Sequence, residues 1–399
     1  MNPRREGLDR LVKAIGNAHP VDGLTHAFYR YPARFSPIFA RAVLETFTKP
    51  GDVVLDPFMG GGTTLVEARA LGRIAMGLDI NSLAVFVTRA KTTLLNDADV
   101  DSLREWGRLV TEALNLRNPV EYANRWIAAG YHTNMGGRTI WPVRKTIALA
   151  LDSLQCLQNG RQKRIARIVV LKTGQWALDC RSDLPTAKDF RQQLALDLDE
   201  VLAGTLQFRA AVRTVARQPK RTRLPPTLCL NRSAEGLEQN SLIRQYPPPM
   251  LILTSPPYPG VHVLYHRWQI HGRRETSAPF WIANSLDGNG ASFYTFGDRQ
   301  EPGLMSYFRH VAATFSSLAK VASPRTVLVQ MVAFTDRAWQ LRKYLAVLRD
   351  SGWSEVRFRN VSNSEDGRMW REIPNRKWYA HARGDTPASR EVVLFHRLR

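Results

Sequence analysis

The sequence is poor in cysteine, in long apolar runs and in acidic residues. Its three cysteines, Cys156, Cys180 and Cys229, lie far apart without a CxxC pair, a spacing that suits neither a zinc site nor a disulfide framework. The longest apolar runs are the length of strands, well short of the ~20 residues that span a bilayer, and residues 1–6 lack the apolar core of a secretory signal. These absences predict a soluble cytoplasmic protein without a structural metal or a membrane partner.

Basic residues exceed acidic ones by 56 to 35, which leaves a formal net charge of +21. A charge of this size favours a polyanionic partner, nucleic acid first, although a membrane surface or solubility alone also explains it. The 399 residues, 44% of them hydrophobic, are enough for one large core or for one core with a smaller addition. Composition therefore favours nucleic acid as the partner, and the motifs must decide the chemistry.

Short apolar runs alternate with longer helical patterns along most of the chain. Each run is β-branched or rich in Leu and is bounded by Gly, Pro or Asp. Four of these runs predict buried strands: Asp52–Leu55, Ile74–Leu78, Met250–Leu253 and Thr326–Met331. Strands that alternate with helices predict a doubly wound α/β sheet, whose ligands bind at the carboxyl ends of the strands.

Helical patterns replace the strand signal between about residues 97 and 222, which predicts a mainly helical insertion. One helix is expected to begin at Thr186, an N-cap with Asp189 three residues on, and to run to Gly204.

The end of this insertion is strongly basic. Arg209, Arg213 and Arg217 recur every four residues, on one face of a helix, and Lys220 and Arg221 follow. Two interpretations remain open, a solvated face before a linker or a strip that contacts nucleic-acid phosphates.

A glycine-rich segment, Asp56–Thr64, follows the first predicted strand and precedes a helical pattern. Its three consecutive glycines let the backbone approach a ligand closely, and the start of the helix offers free N–H groups. Asp79 ends the second strand about 20 residues later, where dinucleotide-binding folds hold a ribose hydroxyl; the alternative is that it caps the next helix. The segment matches neither the Walker motif nor a strict GxGxxG, so adenosine binding is favoured over phosphate binding.

A proline-containing turn, Thr254–Gly260, follows the third predicted strand. Its two successive prolines fix the backbone at a strand end, so the polar groups around them are preorganised. Ser255 and the carbonyl of Pro256 are suited to accept hydrogen bonds from an amino group, and Tyr258 offers a ring on which a base can stack. This combination predicts a pocket for an aminated base.

These motifs resemble those of the amino-methyltransferase family of DNA modification enzymes, which methylate cytosine N4 or adenine N6 and carry a (Ser/Asp/Asn)-Pro-Pro-(Tyr/Phe) turn. Tyr31–Pro37 is similar to the family's segment before the first strand, and Asp56–Thr64 to its DPFxGxGTT loop. Arg342–Trp353 and Glu391–His396 are similar to its later helix and closing strand. The resemblance implies a Rossmann-like methyltransferase sheet that binds S-adenosylmethionine.

The resemblance covers about residues 25–95 and 225–399, assigns site residues there, and leaves the middle of the chain unexplained. We expect residues 1–96 to form the cofactor-binding part of the methyltransferase domain, 97–222 a helical insertion that is a candidate DNA-contacting or target-recognition region, and 223–399 the catalytic part. The residues carried over to the S-adenosylmethionine site are Phe35, Asp56, Phe58, Gly60, Gly62, Thr63 and Asp79. Those carried over to the base site are Ser255, Pro256, Pro257 and Tyr258. Where the family often has Gly-Asp before its catalytic strand, this chain has Asn231-Arg232-Ser233.

Aromatic and basic residues are interleaved directly after the turn, in Val261–Arg274. Such a mixture is typical of a loop that contacts a DNA strand, but it also fits an amphipathic helix packed on the sheet. The candidate DNA-binding residues of the chain are Arg209, Arg213, Arg217, Lys220, Arg221, Arg267, Trp268, Arg273 and Arg274. His262 and His266 lie four residues apart, but neither an HExxH motif nor a cysteine pair accompanies them, so no metal site is predicted.

Ser255 favours cytosine N4 as the methyl acceptor, because the family's N4-specific members more often carry Ser than Asp at this position. Carbon-5 methylation needs a cysteine nucleophile in a Pro-Cys turn, and none of the three cysteines follows a proline. We therefore expect a cytosine-N4 methyltransferase acting on double-stranded DNA, with a separately encoded restriction endonuclease as a candidate partner. The alternatives are an adenine-N6 enzyme and an inactive DNA-binding subunit of the same fold. RNA and protein glutamine are less favoured acceptors.

Overall fold

A computed structural model gives the fold of the chain. The residues that it describes are 5–17, 21–31, 36–120, 124–216, 227–259, 267–270, 274–288, 294–298, 300–358, 366–373, 377–379, 382–383 and 389–399. Within these ranges no helix is both long enough and apolar enough to cross a bilayer.

Strands and helices alternate through much of the described chain. The strands are β1 (Val53–Asp56), β2 (Ile74–Asp79), β3 (Thr227–Asn231), β4 (Leu251–Thr254), β5 (Trp268–Ile270), β6 (Arg274–Thr276), β7 (Val327–Ala333), β8 (Trp353–Val356), β9 (Met369–Ile373), β10 (Lys377–Tyr379), β11 (Ala382–Arg383) and β12 (Ser389–Leu398). The helices are α1 (Arg5–Ile15), α2 (Pro37–Phe47), α3 (Thr63–Ala70), α4 (Ser82–Lys91), α5 (Asp97–Ala113), α6 (Asn124–Ala128), α7 (Trp141–Asp152), α8 (Gly160–Leu178), α9 (Ala187–Ala216), α10 (Ala278–Ala283), α11 (Met305–Val321) and α12 (Arg337–Asp350).

The central sheet has the strand order β3-β2-β1-β4-β7-β12-β8, and β9 pairs with β12. The first five strands in this order run parallel, whereas β12 is antiparallel to both β7 and β8. Every residue of β1, β4 and β7 is buried, which explains why these strands are continuous apolar runs in the sequence. The four predicted strands are confirmed as β1, β2, β4 and β7, and the sheet is Rossmann-like.

Helices cover both faces of the sheet. On one face, Phe39 of α2 and Leu65 of α3 belong to an apolar cluster with Val54 of β1. On the other face, Phe315 of α11 clusters with Leu328 of β7. This arrangement is the doubly wound α/β architecture that the alternation of elements predicts.

The region between α4 and β3 contains five helices, α5 to α9, in its described residues. Thr186 and Asp189 form the expected reciprocal cap, in which each side chain accepts a hydrogen bond from the other residue's backbone N–H. The predicted end of this helix at Gly204 is wrong, because α9 continues to Ala216. Gly204 is required by packing, since a Cβ there would lie 2.2 Å from the carbonyl oxygen of Leu24.

The five helices do not form a separate core. Trp106 of α5, Val169 of α8 and Leu198 of α9 share one apolar cluster with Val87 of α4 and with Trp268 of β5. The insertion is therefore packed both against a helix of the sheet and against the segment that follows the proline-containing turn.

Candidate active site

A cavity of about 630 Å³ opens at the carboxyl ends of β1, β2, β3 and β4. The strand order reverses between β1 and β4, and open α/β sheets bind their ligands in the crevice that such a reversal leaves. Its wall includes Tyr31, Phe58, Gly60, Asp79, Ile80, Asn81, Ser233, Glu235, Ser255, Pro257, Phe296 and His310. The cavity brings the glycine-rich loop, the candidate ribose acid and the proline-containing turn together.

The glycine-rich loop turns sharply from β1 into α3. Gly60 and Gly62 have φ values of 45° and 77°, in the left-handed region that glycine adopts without steric cost. A Cβ at Gly62 would lie 2.6 Å from Oγ1 of Thr88, so α4 also excludes a side chain there. Gly60 lines the cavity, whereas Gly62 shapes the loop against α4.

Asp79 ends β2 with its carboxylate in the wall of the cavity. Its Oδ2 accepts a hydrogen bond from the Gly60 N–H at 2.9 Å, and its Oδ1 accepts one from the Asn81 N–H at 2.8 Å. Asn81, not Asp79, caps α4, because the Asn81 side chain accepts from the Leu83 N–H. Burial raises the pKa of the Asp79 carboxyl to about 6, although the two N–H bonds lower it.

Asp56, the last residue of β1, is buried, with 2% of its surface exposed. Its Oδ1 accepts hydrogen bonds from Oγ1 of Thr254 at 2.8 Å and from the Phe58 N–H at 3.1 Å. Burial raises the pKa of this carboxyl to about 7. Asp56 therefore ties the end of β1 to the end of β4, and Thr63, also buried, begins α3. Neither residue is among the described residues that line the cavity, which differs from the direct cofactor contacts expected of them.

The turn after β4 is held by a chain of side-chain hydrogen bonds. Oγ of Ser255 donates to the hydroxyl oxygen of Tyr258 at 3.1 Å, and the Tyr258 hydroxyl donates to Oε1 of Glu391 at 2.7 Å. The other carboxylate oxygen of Glu391 pairs with the guanidinium of Arg371 on β9. Three elements that are distant in sequence thus meet behind Ser255.

The direction of this hydrogen-bonded chain determines what Ser255 offers to the cavity. A carboxylate has only acceptor atoms, so the Tyr258 hydroxyl must donate to Glu391 and accept from Ser255. Ser255 lines the cavity, and because its proton is used within the protein, its oxygen has only lone pairs left for a ligand there. This polarity suits a ligand that donates N–H groups.

Tyr258 has a different role from the one its position in the motif suggests. Its side chain is buried, with 8% of the residue exposed, and it belongs to the apolar cluster under α11 and α12. The expected stacking surface for a base is therefore not presented in this structure. Pro256 is buried as well, whereas Pro257 lines the cavity and its carbonyl accepts a hydrogen bond from the Tyr307 hydroxyl at 2.8 Å.

The opposite wall of the cavity comes from residues that sequence reasoning did not select. Nδ1 of His310 on α11 lies 2.7 Å from Oε1 of Glu235, just after β3. Phe296 stacks on the His310 ring at 5.6 Å and meets Phe58 edge to face at 5.4 Å. No motif marks Glu235, His310 or Phe296, because their placement depends on the β3 and α11 ends meeting across the sheet.

Two of the candidate DNA-binding residues after the turn are engaged within the protein. Trp268 is 2% exposed and its indole N–H donates to the Tyr29 hydroxyl at 3.0 Å, so it is a core residue on a strand. This corrects the prediction that it contacts DNA. Arg267 forms ion pairs with Glu275 at 3.6 Å and with Asp287 at 3.4 Å. Arg274, on β6, is exposed.

The candidate DNA-binding arginines at the basic end of the insertion also differ in exposure. Arg209 has a side chain only 15% exposed, and it forms an ion pair with Asp97 at 2.7 Å that joins α9 to α5. Arg213, one turn later, is exposed. Phe35, Arg217, Lys220, Arg221 and Arg273 lie outside the described residues, so their proposed contacts stay predictions.

Comparison with known proteins gives matches to DNA methyltransferases. Residues 13–87 match the family model of N6/N4 methyltransferases, described as DNA methylase. The chain is 39% identical over 97 residues to the Type II methyltransferase M.MvaI of Kocuria varians, a match that covers 22% of this chain and 21% of that protein. It is 31% identical over 80 residues to the Type II methyltransferase M.MjaII of Methanocaldococcus jannaschii, covering 20% and 14%. The matches thus span about a fifth or less of these relatives.

Comparison with solved structures gives weaker likenesses. TrmN from Thermus thermophilus has a TM-score of 0.34 at 12% identity, covering 94% of this chain and 53% of that one. The rRNA methyltransferase AviRa from Streptomyces viridochromogenes has a TM-score of 0.31 at 10% identity, covering 92% and 88%.

Proposed function

We propose that the chain, whose residues 13–87 match the family model of N6/N4 methyltransferases, transfers the methyl group of S-adenosylmethionine to the exocyclic N4 of cytosine in double-stranded DNA. The observation that carries this proposal is that Ser255 lines the cavity while its Oγ donates its proton to Tyr258, so that the oxygen can only accept a further hydrogen bond. An exocyclic amino group is a hydrogen-bond donor, and the Ser255 oxygen is placed to accept from it.

The residues at the cavity fit S-adenosylmethionine, the cofactor of this family. The Asp79 carboxylate has further lone pairs beyond those used by Gly60 and Asn81, and these suit the hydroxyls of a ribose. Gly60 leaves room for close approach of the ligand, and Phe58 adds an apolar surface. When bound, the cofactor supplies an electrophilic methyl group.

The chain's own residues would prepare the amino group for attack. The lone pair of an exocyclic amino nitrogen is delocalised into the ring, so a hydrogen bond that favours a pyramidal nitrogen makes it more nucleophilic. Ser255 would accept that hydrogen bond, and the prolines would hold Ser255 in place.

The target base must leave the helical stack, which costs a few kcal/mol. The +21 net charge of the chain supports a polyanionic substrate such as DNA.

The choice of cytosine over adenine is tested by product analysis. Plasmid DNA incubated with protein and S-adenosylmethionine is digested to nucleosides and analysed by mass spectrometry. We expect N4-methylcytosine, and we expect Ser255→Ala to abolish it while Ser102→Ala on α5 does not. N6-methyladenine without N4-methylcytosine would replace our first choice by the adenine-N6 alternative.

Other results of the same assay would contradict the proposal more deeply. Binding of S-adenosylmethionine without transfer to either base would favour an inactive DNA-binding subunit. Faster transfer to RNA than to DNA would make RNA the substrate. Calorimetry of cofactor binding and a parallel RNA reaction therefore accompany the nucleoside analysis.

We also propose that the protein protects its recognition site from a separately encoded restriction endonuclease. The Type II methyltransferases that it resembles support this role, but they match it only over a fraction of their length. A plasmid recovered from cells that express the protein should resist an endonuclease of the same site. Complete cleavage of a fully methylated plasmid would refute the protective role.

A further inference from the structure

A second cavity, of about 480 Å³, is lined by four arginines and lies away from the candidate active site. Thr227 begins β3, whereas the candidate active site lies where β2 and β3 end. Arg69 in the last turn of α3 and Arg89 in the last turn of α4 also lie at this amino end of the strands. Arg161 and Arg164 reach the cavity from α8.

Three of these guanidinium groups have neutral hydrogen-bond partners. Arg69 donates to the Thr92 carbonyl at 2.7 Å and to Oγ1 of Thr227 at 3.0 Å. Arg89 donates to the Cys229 carbonyl at 2.8 Å, and Arg164 donates to Oγ1 of Thr93 at 3.2 Å.

Among the described residues, one arginine of the cavity pairs with a carboxylate, and another has an N–H without a hydrogen-bond partner. Arg161 pairs with Asp99 at 3.1 Å, so that charge is balanced. Nε of Arg69 is buried without a hydrogen-bond partner in the part of the chain that the structure describes. The cavity therefore concentrates positive charge that the described residues around it do not neutralise.

Placing like charges together in a partly buried site is unfavourable unless an anion joins them. Burial lowers the pKa of Arg69 and of Arg164, and the neighbouring Arg89 lowers the pKa of Arg164 further. An anionic ligand with several acceptor atoms would stabilise cationic side chains in this arrangement.

We propose that this cavity binds a phosphate group. A phosphate carries several acceptor oxygens around one centre, so it can bridge guanidiniums that approach from different elements, and arginine forks match its geometry. Arg89 and Arg161 are exposed, so the phosphate can belong either to the backbone of DNA or to a free phosphate compound. The site is separate from methyl transfer and does not depend on that proposal.

The first test measures pyrophosphate binding by calorimetry at constant ionic strength. Wild-type protein is compared with the double variant Arg89→Gln/Arg164→Gln and with Arg325→Gln, an exposed arginine outside the cavity. We expect the double variant to bind pyrophosphate at least tenfold more weakly and Arg325→Gln to match the wild type. Equal affinity in all three proteins would overturn the proposal, and so would the absence of pyrophosphate binding by the wild type.

The second test distinguishes the two sources of phosphate. If a saturating DNA duplex displaces pyrophosphate from the wild type, the site takes backbone phosphate; if both bind together, it takes a free phosphate compound. Circular dichroism and the unliganded Tm check that the double variant is folded. If it is not, Arg89→Gln alone serves, because that exposed guanidinium makes a single hydrogen bond within the described chain.

Discussion

At the scale of single residues, Ser255 is an acceptor toward a ligand because it donates its own hydrogen bond to Tyr258, whose hydroxyl in turn donates to Glu391. The Tyr258 hydroxyl lies between Ser255 and Glu391, and the Tyr258 to Glu391 bond spans 133 positions of the sequence. The motif alone predicts a polar turn, but the direction of its hydrogen bonds depends on β12. Glu391 is therefore a positioning residue, held in its turn by Arg371.

Glu391→Gln should weaken methyl transfer without weakening cofactor binding. An amide can donate to the Tyr258 oxygen, which would let the hydroxyls reverse and leave Ser255 pointing its proton at the target amino group. Loss of a hydrogen bond to a charged group costs about 1.5–3 kcal/mol, so we expect kcat to fall by about 10- to 100-fold while the KM for S-adenosylmethionine stays unchanged.

The control for this prediction is Glu372→Gln, an exposed acid on the same strand as Arg371. It should leave both kinetic constants and the Tm unchanged. Tyr258→Phe, which keeps the ring and removes the hydroxyl, should reproduce the loss seen with Glu391→Gln. A full wild-type kcat in both Glu391→Gln and Tyr258→Phe would show that the hydrogen-bonded chain has no part in catalysis.

Asp79 should make cofactor affinity depend on pH. Its pKa is raised to about 6 by burial, so the carboxyl is protonated and a poorer acceptor below that pH. Because the ribose hydroxyls are expected to donate to the carboxylate, affinity should be full near pH 8. It should fall about tenfold for each pH unit below the pKa, since binding then has to remove a proton.

Titration calorimetry between pH 5 and pH 8 measures this dependence. Glu235, Asp298 and His310 also line the cavity, so the comparison with Asp79→Asn assigns the midpoint. The Asn variant should bind more weakly at pH 8 and show a flat profile around pH 6. A midpoint that persists in Asp79→Asn would assign the titration to another group.

At the scale of helices and strands, α9 depends on a glycine in its interior. Gly204 lies where α9 crosses the segment around Leu24, and a Cβ there would also lie 2.9 Å from the Phe28 ring. Gly204→Ala should lower the free energy of unfolding by about 1–3 kcal/mol, the usual range for overpacking. Chemical denaturation measures the change.

Gly160, the first residue of α8, provides the matched control. A Cβ there would meet no atom within 4 Å, so Gly160→Ala should be neutral or stabilise the protein by up to about 1 kcal/mol. If the two substitutions had equal effects, the close approach at Gly204 would not govern the stability of α9.

The strands could be predicted from sequence more reliably than the environment of individual side chains. Continuous apolar runs between Gly, Pro and Asp identify β1, β2, β4 and β7, because parallel strands buried on both faces admit few other residues. Gly204 and Trp268 resisted prediction. A glycine looks like a helix end unless its tertiary neighbour is known, and an indole among arginines looks exposed unless its partner Tyr29 is known.

At the scale of the whole molecule, the insertion and the catalytic region share one core. The apolar cluster that joins α5, α7, α8 and α9 also contains Trp268, Ile270 and Phe280, which follow the proline-containing turn. Hydrogen bonds extend the connection, since the Asp287 N–H donates to the Tyr131 hydroxyl at 2.7 Å. The helices therefore support the segment after the turn, a relation that a local sequence pattern does not carry.

The packing of the whole molecule also determines which arginines are exposed and can therefore contact DNA phosphates. Arg213 and Arg274 are exposed, whereas Arg209 is held by Asp97 with only 15% of its side chain exposed. Removal of one arginine that neutralises a phosphate should reduce the slope of log affinity against log salt by about 0.9. Arg213→Gln and Arg274→Gln should each reduce the slope by that amount in a fluorescence titration with duplex DNA.

Arg209→Gln should leave the slope unchanged and instead lower the free energy of unfolding by about 1 kcal/mol. An unchanged slope in the two exposed variants, or a reduced slope in Arg209→Gln with stability intact, would reverse this assignment.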